Sequence, residues 1–259
     1  MPPIYIMAAI TVVVAAGLWG GVIYALSGRD KGYLWLILLG LPLSALVNQF
    51  IKRPLIVAVG GAANISPGLG LGTPLWFILF LWLVPPITEE AIKVVPLVLP
   101  WMRRRLSSRA GALWTGAALG VGFGLGEALW IAYGIARSPA FTQYPWYMFT
   151  GYFGERLVVI FCHGAMTAVF VAGLYRGLGR AMVGYLAAVG LHALLNAGAV
   201  LAQLGVISAT VAGITLMAPV ALLFFIFERL RGNAARDPES QAQAAEIVYY
   251  RRGNGETSG

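Results

Sequence analysis

Leu75-Trp76-Phe77-Ile78-Leu79-Phe80-Leu81-Trp82-Leu83-Val84-Pro85-Pro86-Ile87-Thr88-Glu89-Glu90-Ala91-Ile92-Lys93 opens on ten apolar residues and closes on two carboxylates and an ammonium. Continued to Pro100, the segment is long enough to cross about 30 Å of hydrocarbon at about 1.5 Å per residue. Six further segments have the same character, at 3–27, 33–51, 110–136, 150–175, 181–203 and 208–227. The whole chain agrees: 59% of its 259 residues are hydrophobic and only 18 Lys or Arg and 10 Asp or Glu are present. Ordinary soluble domains are about 45–50% apolar and about 25% charged, so this composition cannot dress a water-facing surface. A soluble enzyme, a disordered chain and a disulfide-stapled module are excluded, the last because Cys162 is the one cysteine. The fold class is all-α, a polytopic transmembrane bundle of about seven spans.

The basic residues set its orientation. Connections after spans one, three, five and seven hold 13 of them, and the opposite connections hold only Lys52, Arg53 and Arg137. The positive-inside rule then places the N-terminus outside and the C-terminus in the cytoplasm, with Lys52-Arg53 dissenting. The net charge of +8 belongs to those connections and calls for no nucleic acid. The first span lacks the basic start of a cleavable signal and stays as a membrane helix. Residues 1–231 form the transmembrane domain, with the chemistry-bearing motifs between 85 and 199, and the polar stretch 232–259 reads as a flexible cytoplasmic tail. Gly60 to Gly68 reads as loop from its Gly and Pro content. In Gly120-x-Gly122-x-Gly124-x-Gly126 the small residues let helices approach closely.

An ionisable group in hydrocarbon costs at least about 2.5–3.5 kcal/mol, so each needs a reason. Glu89, Glu90, Glu127 and Glu155 fall within spans, with Lys93, Arg156 and both histidines, His163 and His192. Counted from the span ends, Glu89, Glu90, Glu127, His163 and His192 lie within roughly 6–7 Å of the midplane. Four helices thus bring them to one level, as a single buried site requires. His192 and Asn196 share a helix face, Arg156 and His163 lie two turns apart on one stripe, and Gly116, Gly120 and Glu127 share another. Glu89 and Glu90 each have Lys93 within reach, at four and three residues. Glu155 and Arg156 form a local pair near the interface. Pro85-Pro86 should kink or break the third span, which would place both glutamates at the start of a half-helix whose dipole favours carboxylates.

Carboxylates beside imidazoles are general-base equipment. The same groups also offer the nitrogen and oxygen ligands of a zinc site, with Glu90, Glu127, His163 and His192 as the set. A water activated by glutamate alone and one activated by metal both fit.

The ordered set Glu89-Glu90-x-x-Lys93, Gly122-Phe123-Gly124-x-Gly126-Glu127, Gly154-Glu155-Arg156 followed by His163, and His192-x-x-x-Asn196 resembles the PrsW- and YhfC-type intramembrane proteases. Those are grouped with the CAAX prenyl endopeptidases and bacteriocin-processing proteins. The resemblance runs from about Pro85 to Ala199. It implies that Glu89 or Glu90 activates the hydrolytic water, that His163 and His192 complete the site as metal ligands or partners to water and oxyanion, and that Asn196 assists, with Lys93, Glu127 and Arg156 in support. It also implies a membrane-associated protein or peptide substrate and the plasma membrane of a prokaryotic cell. Lys93 stands three residues after Glu90, where the prenyl endopeptidases usually show an arginine four after their second glutamate. Asn196 stands where many PrsW-like members have aspartate. Two rival functions use the same residues: a proton-coupled transporter, which would string them along the membrane normal, and a non-catalytic relative that binds membrane partners.

Overall fold

A computed structural model describes residues 1–65, 68–70 and 72–242. Among these there is no strand, and seven helical segments are long and apolar enough to span a membrane. They are α1 (Ile4–Leu26), α2 (Gly32–Val47) continued by α3 (Arg53–Ala62), α4 (Leu75–Lys93), α6 (Arg109–Ala136), α7 (Thr150–Tyr175), α8 (Leu178–Gln203) and α9 (Ala209–Ala235). A short α5 (Pro100–Arg103) lies between the third and fourth spans.

α6 is the axis of the bundle, packed on α2, α7 and α1. Its glycines allow this on two faces. A Cβ on Gly116, Gly120 or Gly124 would strike the backbone of α7, and one on Gly122 or Gly126 would strike that of α2. The alternation in the glycine run is therefore a pair of interleaved small-residue stripes, each with period four, serving two neighbours at once. α8 covers α7, α9 lies against α8 and α7, and α4 packs along α8 and α2. Two indole N–H donors fasten the outer helices, Trp19 to the carbonyl of Leu157 at 2.9 Å and Trp82 to that of Ala193 at 2.8 Å.

The structure corrects three expectations. The second span does not end at 51. It passes through a π-helical turn, Asn48–Lys52, and on into α3, so that Gly60 and Gly61 are helical. The cause is Pro54, which has no N–H and whose ring presses on the carbonyl four residues back. The wider turn before it closes with the Arg53 N–H on the Asn48 carbonyl, five residues away.

The third span does not break at Pro85-Pro86. α4 runs through both to Lys93, and Thr88 braces the turn by donating its hydroxyl to the Val84 carbonyl at 2.7 Å. Glu89 and Glu90 consequently sit in the last turns of a helix, where the dipole favours cations and opposes carboxylates.

The polar end, finally, is not free from 232. α9 continues to Ala235, and Asp237 pairs with Arg109 at 3.1 Å. Ser240 accepts from the Ala110 N–H at 3.1 Å, and the Tyr175 hydroxyl donates to Glu239 at 2.6 Å. The first turns of α6 leave N–H groups without helical partners, and this segment satisfies one of them. The remainder of the tail, 243–259, lies outside the described residues. Together with Asp30–Arg105 at 2.9 Å, these contacts gather four arginine-bearing connections at one end of the bundle.

Candidate active site

Four helices bring the intramembrane polar groups together. The centre is the two imidazoles, from α7 and α8, with ring centroids 5.2 Å apart and nearly perpendicular planes. His163 is seated where Gly120 and Gly124 let α7 close on α6. Its Nε2 lies 3.0 Å from Glu127 Oε2 and its Nδ1 lies 2.8 Å from Lys93 Nζ. An ammonium only donates and a carboxylate only accepts, so Nδ1 presents its lone pair and Nε2 carries the proton. His192 places Nδ1 2.7 Å from Glu90 Oε1, which makes that nitrogen the donor and leaves the Nε2 lone pair facing Glu89 Oε2, 3.8 Å away. Each imidazole is thus held in one tautomer by a carboxylate on its far side.

The two adjacent glutamates part company. Side chains one residue apart on a helix point about 100° apart, and here they find different cations. Glu90 accepts from Lys93 at 2.6 Å. Glu89 pairs with Lys52, which reaches across from the π turn. The expectation that Lys93 serves both glutamates is corrected. Having lost the favour of the helix dipole, each carboxylate carries an ammonium of its own.

Beyond Glu127 the network continues to Arg156, at 2.9 Å, and Arg156 also donates to Glu155 at 2.7 Å. Glu127 therefore receives both Arg156 and His163 on one oxygen, as their shared stripe on α7 suggests. Lys93 additionally lies over the Phe123 ring, 4.7 Å from its centroid. Asn196 is one turn beyond His192 on α8, half-buried, with no side-chain hydrogen bond among the described residues. Lys52 is the member that sequence reasoning missed, although its refusal to obey the charge asymmetry of the connections was a signal.

The polar groups meet around one centre rather than in a file along the bundle. An apolar cavity of about 750 Å³ lies beside α4, lined among others by Ala91, Leu97, Phe170, Met182 and Tyr185, but no member of the charged cluster borders it.

Fold and site together define a multi-pass membrane protein with a carboxylate–imidazole centre sealed among its helices. The chain belongs to the PrsW family of intramembrane metalloproteases, whose family model matches residues 8–226. It is an intramembrane protease and its substrate is a peptide or protein. No curated protein and no solved structure matches the chain.

The family implies a metal, and the residues present fit one. Ligand atoms of Glu89, His163 and His192 lie within 4.8 Å of one another, and two imidazoles with a carboxylate are a set that zinc accepts. Glu89 Oε2 and Glu90 Oε2 are buried without a hydrogen-bond partner, a costly condition that a cation relieves. The grouping differs from the sequence-based set: Glu89 stands among the ligand atoms, whereas Glu90 and Glu127 bond the far nitrogens of the imidazoles. That is the arrangement in which an outer carboxylate orients a histidine ligand; the Nδ1 lone pair of His163, to which Lys93 donates here, serves an ion once that ammonium keeps to Glu90 alone.

Proposed function

We propose that the protein hydrolyses a peptide bond of a membrane-associated substrate at this centre, with Glu89, His163 and His192 as the residues that hold zinc. When bound, the ion polarises the scissile carbonyl and makes a water acidic enough to attack near neutral pH. Glu90 is the base. Its Oε2 takes a proton from the attacking water as the water oxygen bonds to the carbonyl carbon, and the same proton passes to the amine as the C–N bond breaks. The Lys93 ammonium and the His192 N–H hold Glu90 Oε1, so that Oε2 is the oxygen free to move the proton. Glu127 fixes the His163 tautomer, with Arg156 holding Glu127 in turn. Asn196, one turn from His192, assists by donating to substrate or water.

The observation that carries this proposal is the convergence of two imidazoles and Glu89 within 4.8 Å. The order of the motifs supports wider kinship with YhfC-type and CAAX-type proteases. The arginine-bearing end supports a cytoplasmic C-terminus in a prokaryotic plasma membrane. In proteoliposomes, Glu89→Ala and His192→Ala are expected to abolish cleavage of a membrane-tethered peptide while thermal unfolding stays cooperative. Cleavage that survives both substitutions, or that persists after complete removal of metal, defeats the proposal.

A further inference from the structure

We infer that Lys52 is the substrate-facing cation of the site, resting on Glu89 between turnovers and donating to the scissile carbonyl oxygen as negative charge builds there. This inference rests on the hydrolytic centre proposed above.

Three cations belong to the cluster, and they are not equivalent. The Lys93 side chain is fully buried and committed to Glu90 and His163. Arg156 is committed to two carboxylates, and its unpartnered Nε–H is itself buried. Lys52 has Glu89 as its one hydrogen-bond partner among the described residues, so two of its three N–H donors are unspent. It is also the most open of the three, with 15% of its side chain exposed against 0% for Lys93 and 10% for Arg156. Glu127, on which the Lys52 charge also acts, is 14% exposed. Glu89, Glu90 and both imidazoles are sealed. The cluster therefore has one accessible edge, and Lys52, the most exposed of its cations, stands there with two donors to spare.

Its placement is built. In a continuous α-helix each residue turns about 100° from the last. The π turn of Asn48–Lys52, closed by the Arg53 N–H on the Asn48 carbonyl, delays that rotation and brings Lys52 round to α4. Such turns are frequent at functional sites. Neutralising Glu89 alone would not require an open edge. Peptide hydrolysis does require a donor at about 2.7–3.1 Å from the position of the developing oxyanion, and a substrate backbone reaching Glu89 from that edge meets the Lys52 ammonium beside it.

The test compares Lys52→Met and Lys52→Arg with the wild-type protein in proteoliposomes, using a tethered peptide substrate, its uncleavable analogue and a phosphonate analogue of the tetrahedral intermediate. Lys52→Met is expected to lower kcat by about 10²–10³-fold with KM little changed. Phosphonate affinity should fall by a similar factor, whereas affinity for the uncleavable analogue and zinc per chain stay as they were. Lys52→Arg should restore part of the loss. An unchanged kcat in Lys52→Met overturns the inference, as does a loss that follows zinc content or thermal stability, which marks a structural ion pair. Glu89→Ala and His192→Ala separate the two levels. If they are inactive and Lys52→Met is active, the inference alone falls; if they are active, the centre itself is wrong and Lys52 falls with it.

Discussion

Gly120→Ala would push on the contact that holds His163 in place. A methyl group on Gly120 would meet the His163 carbonyl oxygen, its carbonyl carbon at 2.7 Å and Thr167 Oγ1 at 2.6 Å. The hydroxyl of Thr167 can turn, though it would give up its 2.8 Å bond to the same carbonyl; the α7 backbone cannot turn. Clearing the nearest of these, the backbone oxygen of His163, to an ordinary contact of 3.4 Å requires α6 and α7 to separate by about 1 Å or a little more, in an interior that does not compress to absorb it. The Glu127–His163 bond, now 3.0 Å, then lengthens toward about 4 Å and ceases to be a hydrogen bond. Overpacking of this kind costs about 1–3 kcal/mol, and a displacement of about 1 Å at a catalytic group costs about 10²-fold in rate. The expected result is a lower thermal midpoint in detergent together with a fall of about 10–100-fold in cleavage. Gly134→Ala, with nothing within 4 Å of the new methyl, is the control, and helix propensity favours it by up to about 1 kcal/mol. A Gly120→Ala protein as stable and as active as Gly134→Ala would refute the claim that close approach of α6 and α7 builds the site.

Lys93→Met would leave Glu90 buried without its ammonium, and breaking a buried pair in this way costs about 3–5 kcal/mol; unfolding in graded denaturant should show it, and a wild-type midpoint would contradict the pairing. Glu127→Gln keeps the shape of the side chain and removes the charge that orients His163, so zinc affinity measured by chelator competition should fall by about 10–100-fold. An unchanged affinity would remove Glu127 from the support of that histidine.

Hydropathy made the bundle legible, because a helix in lipid must be long and apolar whatever it packs against. Where its ends fall was less so. Lys52-Arg53-Pro54 carries the marks of a connection, and only the partner on α4 shows why a charged turn stays within the span. Pro85-Pro86 marks a break by local rules, yet the helix is fastened on both sides of it, by Trp82 to α8 and by Tyr185 to the Ile87 carbonyl at 2.9 Å. At the site, residue type and depth brought Glu89, Glu90, Glu127, His163 and His192 to one level. What they could not apportion is which carboxylate each imidazole and each lysine takes, since that depends on rotations between helices and not on spacing within one. Asn196 shows the limit from the other side, sharing a face with His192 without joining its network.

The polar cluster is also one-sided. Its accessible members, Lys52, Glu127, Arg156 and the half-exposed Glu155, lie toward one edge, while its far end at Lys93 abuts the Phe123 ring, with Pro96, Leu97 and Met102 buried in the turns that follow. A hydrolase in a bilayer must admit water, yet a continuous wetted line from face to face would let protons run down their gradient. With the exposed members of the cluster confined to Lys52, Glu127, Arg156 and Glu155 and its imidazoles buried, the polar groups offer water an approach without forming an open line across the bundle. The energised membrane can keep such an enzyme without being short-circuited by it.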